Sequence, residues 1–374
     1  MACFAGESDR VRRSALLISL ALCACVTAPE KKKEAPKVVD PVEAVQTVFS
    51  DAYAALKEGD PDRLTPLFTE DALVFGFGPS DTWTGAMVGD RIRQSMLPIG
   101  LSGDAVRVDD SRVVVGLDGD DAAWAFDLPK VTTTHKAEDQ KWLPRITAHL
   151  VKKNEAWRID ALHVSLGVPD ALVFAPDAAR KLLPPTDVPN QRPTDADQIV
   201  GLVKRALDDY GVKVERTSER PEFVQLGTSP AEVFIGGKAF KDLIKPQLGA
   251  IKKAGYTWKL DGNLAVKISA GNKSGWAAAV VVQRQGSGKK MQTFPAFRFL
   301  WTVSEEGGVW NITSEHQSLA VREEQRDAAN DEALKTWKTA REIVEKSLAK
   351  PASKPQPEKK PESSEKKKED IGAW

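Results

Sequence analysis

An arginine, a histidine and a hydroxyl recur at one spacing. The stretch Trp157-Arg-Ile-Asp-Ala-Leu-His163-Val-Ser165 returns as Trp310-Asn-Ile-Thr-Ser-Glu-His316-Gln-Ser318, and Arg145 and Arg298 each stand twelve residues before the tryptophan. Two of the chain's four histidines hold this equivalent place. A guanidinium offers a planar fork of donors, an imidazole a donor and an acceptor, and a serine hydroxyl both. Converging in an apolar recess, they would suit a carboxylate or another oxygen-rich ligand. The same groups could instead satisfy buried backbone or carboxylate oxygens at the end of a sheet. Side-chain alternation along an extended chain predicts that Trp157, Ile159, Ala161, His163 and Ser165 share one face. It predicts the same for Arg145, Thr147 and His149 on the preceding strand. The second set offers Arg298, His316 and Ser318, with Leu300 and Thr302 at the places of Thr147 and His149.

Other chemistry is poorly provided for. His163 and Ser165 would lie roughly 6.6 Å apart along one strand, beyond direct proton transfer. Acid–base work on a carbonyl substrate needs a carboxylate base and an acidic oxyanion donor in the recess. Tyr53, Tyr210 and Tyr256 do not match between the two stretches, and Asp51, Glu70 and Asp71 are the carboxylates within reach. No catalytic residue is assigned. His135, His149 and His163 show neither HxH nor HExxH spacing, so no metal is expected. Gly286-Ser-Gly-Lys-Lys290 lacks the first glycine of a phosphate loop and reads as a hairpin turn, and no cofactor is expected. With 53 basic and 53 acidic residues, bulk charge does not steer the chain to nucleic acid.

The elements that would position these residues come in two series. Asp40 and Pro41 open a helix whose Val42, Val45, Phe49, Ala52, Tyr53 and Leu56 recur at helical spacing, and Gly59 supplies a left-handed stop. Asp60-Pro61 opens a second short helix. Strands are predicted at Ala72–Phe77, Val106–Leu117, Ala122–Thr134, Arg145–Lys152 and Trp157–Ser165, with a short helix within Gly85–Met96. The second series starts near Asp195 with a helix carrying Ile199, Leu202, Val203 and Leu207. Phe223–Pro230, Phe234–Gly236 and Phe240–Ile251 answer the first strand, turn and short helix. Strands follow at Thr257–Ser269, Trp276–Gln285, Phe297–Val303 and Trp310–Ser318. The chain therefore reads as one domain written twice, over 40–168 and 195–322. A proline-rich connector (169–194) lies between the copies, a helix covers Glu323–Leu348, and a Lys/Glu/Pro tail (350–374) is too polar to fold. Helices followed by strands in each copy make the fold class α+β, with helices packed on one face of an antiparallel sheet.

Here the residues resemble a known family. Leu67-Phe68, Leu73-Val-Phe-Gly-Phe-Gly-Pro79, Trp83 and Gly85, with Arg145, Thr147, Trp157, His163 and Ser165, are similar to the SnoaL-like branch of the nuclear transport factor two-like superfamily. Gly227–Gly236 with Arg298, Trp310, His316 and Ser318 resembles it again. The resemblance implies two cone-shaped domains, each with a curved sheet wrapped on its helices round an internal pocket. It also implies pairing through the sheets, in a homo-oligomer or as an internal pseudo-dimer. Activity does not follow, since the fold hosts polyketide cyclases, ketosteroid isomerases, oligomerisation modules and proteins without a known reaction.

The N-terminus supplies an address. Arg10, Arg12 and Arg13 precede an apolar run from Ser14 to Ala24, too short to span a bilayer and suited to a signal peptide over residues 1–25. It ends in Leu22-Cys-Ala-Cys25, which resembles a bacterial lipobox. Acylation at Cys25 would tether the protein to a lipid bilayer through residues 26–39, in the cell envelope (outer membrane or periplasm). Cys3, Cys23 and Cys25 are the only cysteines, so the folded part can form no disulfide. The expected function is an envelope lipoprotein that binds a small apolar acid, or acts as a scaffold, without turnover. A lipid-anchored enzyme of cyclase or isomerase type, or a pure interaction protein acting through the Glu323–Leu348 helix, are the alternatives. Arg145, Thr147, His163, Ser165, Arg298, His316 and Ser318 are the candidate pocket residues.

Overall fold

The computed structural model describes residues 39–101, 104–169, 173, 185–191, 193, 196–209, 216–269, 271, 273–286 and 291–348. The signal peptide, Cys25, the tether up to residue 38, much of the connector and the tail from residue 349 lie outside these residues. The described residues from Asp40 onward form one compact unit. Its mixed α+β architecture is that of two six-stranded sheets with helices, plus a three-stranded sheet.

Local chemistry starts the first half. Helix α1 (Pro41–Glu58) begins where the Asp40 carboxylate accepts the Val42 N–H at 2.8 Å, and ends at Gly59, whose φ of 65° only glycine adopts cheaply. The short α2 (Pro61–Leu64) is capped the same way by Asp60. Strands β1 (Phe68–Phe75) and β2 (Thr82–Thr84), helix α3 (Ala86–Leu101) and strands β3 (Ala105–Asp110) to β9 (Ala156–Ser165) follow. Between them are β4 (Val114–Asp118), β5 (Ala122–Asp127), β6 (Lys130–His135), β7 (Glu138–Trp142) and β8 (Arg145–Lys153). Two of the long strands expected from sequence are each broken in two: Val106–Leu117 at Ser111 and Ala122–Thr134 at Leu128-Pro129. The outer pieces β3 and β6 join β7, which sequence did not announce, in the three-stranded sheet. Its β7 is polar and largely exposed, so it carries no apolar periodicity to read.

The second half repeats the main sheet. It comprises α4 (Asp197–Asp208), β10 (Val224–Leu226), β11 (Val233–Ile235), α5 (Gly237–Ile244), α6 (Leu248–Lys253) and the long strands β12 (Tyr256–Ile268), β13 (Ser274–Gln285), β14 (Gln292–Glu306) and β15 (Val309–Leu319). The orders are β2-β1-β9-β8-β5-β4 and β11-β10-β15-β14-β13-β12, one topology twice. Each sheet is antiparallel except for one parallel pair, β1 with β9 and β10 with β15. That pairing carries the start of each half to its last strand.

Each sheet has helices on one face and the other sheet on its opposite face. On the helix side of the first, Val45, Val48 and Phe49 of α1 pack with Ala148, Leu150, Trp157 and Ile159. In the second, Ile199, Leu202 and Val203 of α4 pack with Leu264, Ala277, Phe299 and Trp301. Between the sheets Leu73, Phe75 and Ala161 meet Ala265, Trp276, Ala278 and Leu300. Helix α7 (Glu323–Leu348) straddles the halves. Its Ala340 and Val344 pack with Val114 and Phe126 of one and Val224, Leu226 and Val233 of the other. Asn330 accepts the Leu143 N–H and Arg341 bonds Asp110 at 2.6 Å. The face of this helix that sequence offered to an outside partner is thus partly committed within the chain.

Candidate functional site

The seven residues singled out by sequence are all buried, and all stand in the contact between the two sheets. Arg145 sends Nη1 to the carbonyls of Gly227 (2.6 Å) and Ser229 (3.1 Å) in the second half. Arg298 sends its nitrogens to the carbonyls of Gly76 (2.7 Å), Gly78 (2.6 Å) and Pro79 (2.9 Å) in the first. The arms are reciprocal: each arginine closes on the turn after the first strand of the other half. Those turns present carbonyls because a carboxylate folds them. Asp81 Oδ2 accepts the Gly78 N–H at 2.6 Å, and Glu232 Oε2 accepts the Ser229 N–H at 2.9 Å. Burial lowers both guanidinium pKa values to about 10, which leaves them charged near neutrality.

Between the arginines the rings of His163 and His316 stack at 3.8 Å, 19° from parallel. His163 Nε2 meets Ser318 Oγ at 2.7 Å, and His316 Nε2 meets Ser165 Oγ at 2.8 Å, so each histidine takes the serine of the other half. The symmetry then fails at one position. His316 Nδ1 meets Thr147 Oγ1 at 2.9 Å, whereas His163 Nδ1 has no hydrogen-bond partner, because Leu300 occupies the place of Thr147. Burial holds both imidazoles well below their usual pKa, helped by Arg298 and Arg145 at His163 and by the facing ring and Arg145 at His316. Both are neutral at neutral pH. These groups bond to one another and to backbone carbonyls.

A bulge explains why the face expected from strict alternation is wrong. The β8–β9 register slips between His149 and Leu150, leaving Asp160 as an extra residue, and the β14–β15 register slips between Thr302 and Val303, leaving Thr313. Trp157 and Ile159 therefore turn to the helices while Ala161, His163 and Ser165 turn to the other sheet. Asp160 is wholly buried and accepts bonds from Trp276 Nε1 (2.8 Å), Thr69 Oγ1 (3.1 Å) and Lys267. Burial alone would raise its pKa, but His149 and Lys267 hold it well below the usual carboxylate range.

The helix side of the second sheet holds a cavity of about 290 Å³. Phe223, Phe234, Phe240, Ile244, Ile251 and Ile312 supply its apolar wall, and Glu315 and Gln225 its polar one. Glu315 stands opposite Gln225 across the β10–β15 pair. It is half-buried; Oε2 accepts Trp301 Nε1 at 2.8 Å and Oε1 accepts Gln317 Nε2 at 2.6 Å. Burial raises its pKa against these bonds, which favour the charged form. Arg205 and Arg216 are the exposed cations on the same lining. Among the described residues no group of three or more His, Cys, Asp or Glu stands together as a metal site, and no helix is long and apolar enough to cross a membrane.

Residues 45–170 match the profile of the SnoaL-like domain. That stretch holds most of α1, the whole first sheet, Arg145 and His163. Residues 45–170 form a SnoaL-like domain. Among solved structures, an NTF2-like protein with a cystatin-like fold from Novosphingobium aromaticivorans is 19% identical, covers 37% of this chain and 86% of its own, and has a TM-score of 0.30. An uncharacterised protein with a cystatin-like fold from Caulobacter vibrioides is 15% identical, covers 36% and 96%, and has a TM-score of 0.29. No curated protein matches the chain.

In the SnoaL-like domain the positions of Gln225 and Glu315 belong to Val74 and Leu162, which pair across β1 and β9. Leu162 packs among Ala55, Leu64, Val88 and Ile92. Sequence reasoning missed Glu315 and Gln317. The signal was available: both sit between interface residues on the last strand, so alternation aims them at the helices, where the SnoaL-like domain has leucine and valine.

Proposed function

We propose that the protein is a lipid-anchored binding module of the bacterial envelope, in which two tandem SnoaL-like domains (residues 40–168 and 195–322) pack as an internal pseudo-dimer and only the second receives a ligand. Acylated Cys25 would hold the bilayer, and the reaction-free reading rests on how the polar groups are used. The observation that carries it is the cavity of about 290 Å³ with an aromatic and aliphatic wall and the half-buried carboxyl of Glu315. A pocket of that make-up is the usual form of a small-molecule site. Fold kinship does not add an activity.

Two experiments test the reading. Native mass spectrometry of the purified protein should find a small molecule retained by the wild type and absent from Ala206→Trp, whose indole would fill the cavity beside α4. Identical spectra for the two proteins would remove the pocket. For the anchor, detergent-phase partitioning and globomycin-sensitive processing should vanish in Cys25→Ala. Continued membrane association of that variant would remove the lipoprotein assignment.

A further inference from the structure

We propose that the second-half cavity selects an amphipathic ligand whose buried end is a cation or strong hydrogen-bond donor, a primary ammonium above all, placed against Glu315 and Gln225; this rests on the pocket reading above. The deep polar groups of the cavity are acceptors in need of a donor. The hydrogen bonds to Glu315 come from neutral partners, Trp301 and Gln317, and no Lys, Arg or His among the described residues is within salt-bridge distance of it. Asp160, buried between the sheets, has Lys267 and His149 beside it. A buried charge without a counter-charge is costly, so a carboxyl left this way beside an empty volume is completed by what enters.

The amide opposite points the same way. Gln225 is 6% exposed, lines the cavity, and its buried Oε1 has no hydrogen-bond partner. The carboxylate is an acceptor for a group with several N–H bonds, and the amide on the paired strand has an acceptor still unspent. The ring-and-aliphatic wall then takes the ligand's apolar body. Arg205 and Arg216 lie on exposed ground at the opening, so an anionic ligand would find its cations outside and a carboxylate within. The first half supplies the control: with Val74 and Leu162 at these two positions, nothing there asks for a donor.

The test compares octylamine, octanol and octanoate, which share one chain, by isothermal titration calorimetry with the whole protein. Octylamine should bind tighter than octanol by about 10- to 150-fold, the range of one charge-assisted bond, and octanoate should bind weakest. In Glu315→Gln, and separately in Glu315→Leu, octylamine should fall to the level of octanol while octanol binding persists; circular dichroism melts confirm that each variant is folded. Two variants are used because leucine is the residue the homologous strand already accommodates. Equal or tighter binding of octanoate, or an amine preference that survives both substitutions, overturns the inference and leaves the pocket standing. Failure of all three probes to bind, or binding unchanged by Ala206→Trp, overturns the pocket as well.

Discussion

Val74 faces Leu162 across one sheet, and Gln225 faces Glu315 across the other. The two sheets share strand order, a bulge in the last strand and a reciprocal arginine, yet at this pair one half places two apolar side chains and the other two polar ones beside a cavity. The interface face and the helix face of a β-strand alternate, so the two can diverge independently. Here His163 and His316, with Ser165 and Ser318, are kept alike because each serves the other. The residues between them serve different neighbours and differ. The contact between the sheets is alike in the two halves, and the helix-side interiors differ.

The comparison breaks first if the seam is not reciprocal. Arg145→Ala and Arg298→Ala should each destabilise the ligand-free protein by about 3 kcal/mol or more, two or more charge-assisted bonds at about 1.5–3 kcal/mol each. At roughly 2–4 °C per kcal/mol, that is a drop of about 6 °C or more. Lysine should rescue neither, since a single ammonium cannot reach the two or three carbonyls each fork holds. Differential scanning calorimetry giving unchanged melts for either variant would show that its arm is idle and the symmetry only apparent.

Exchanging the interior pair is the next test. Leu162→Glu puts a carboxylate among Leu64, Val88 and Ile92 with no cavity to receive it, and should cost on the order of 3 kcal/mol. Glu315→Leu removes a carboxyl that burial already disfavours and should change stability by less than about 1 kcal/mol in either direction. Urea unfolding of both variants decides. Equal losses would mean that Glu315 is structural and the two interiors are not different in kind.

Much of this was legible in the sequence, for a physical reason. The caps at Asp40 and Gly59, the helix at Glu323–Leu348 and the last two strands of each half follow from local chemistry and periodicity, which act over a few residues. The repeated Arg–His–Ser set was visible too, but its role was not. Whether an inward-facing arginine meets a ligand or another backbone depends on which sheet lies opposite, a contact across more than 80 residues of chain for Arg145 and more than 200 for Arg298. The bulges at Asp160 and Thr313 hid the true faces in the same way, because one inserted residue inverts alternation without any mark in composition.

The stacked histidines give the seam a pH dependence. Their folded pKa values lie well below the unfolded value near 6.5, so the unfolded chain binds more protons as pH falls through that value. Stability is therefore complete above about pH 6.5 and is lost below it, by up to about 1.4 kcal/mol per pH unit for each histidine. Asp118, Asp127 and Glu315 act in the opposite sense: their raised pKa values favour the folded state as pH falls toward the ordinary carboxylate range. The histidine contribution is best read as the difference between wild type and His316→Gln across pH 5–7.5. That difference should shrink as pH falls. A constant gap would mean that His316 does not resist protonation in the fold.

The smallest effect tests the comparison at its outer layer, the first helix of each half. Asp40 caps α1 through its carboxylate, while Ala196 precedes α4 with no side-chain cap and is itself buried. Helix α4 is held by packing, since Ile199, Leu202 and Val203 are fully buried at its sheet-facing positions. Asp40→Ala should cost about 1 kcal/mol, the usual value of a lost N-cap. Asp40→Asn should recover most of it, since the amide oxygen can accept the same Val42 N–H. The loss should appear in amide hydrogen exchange at the start of α1 before it appears in global unfolding, because a first turn frays locally. Exchange that accelerates equally in α1 and α4 would instead mean that the two helices report one cooperative unit, and that the seam between the sheets transmits a terminal defect from one half to the other.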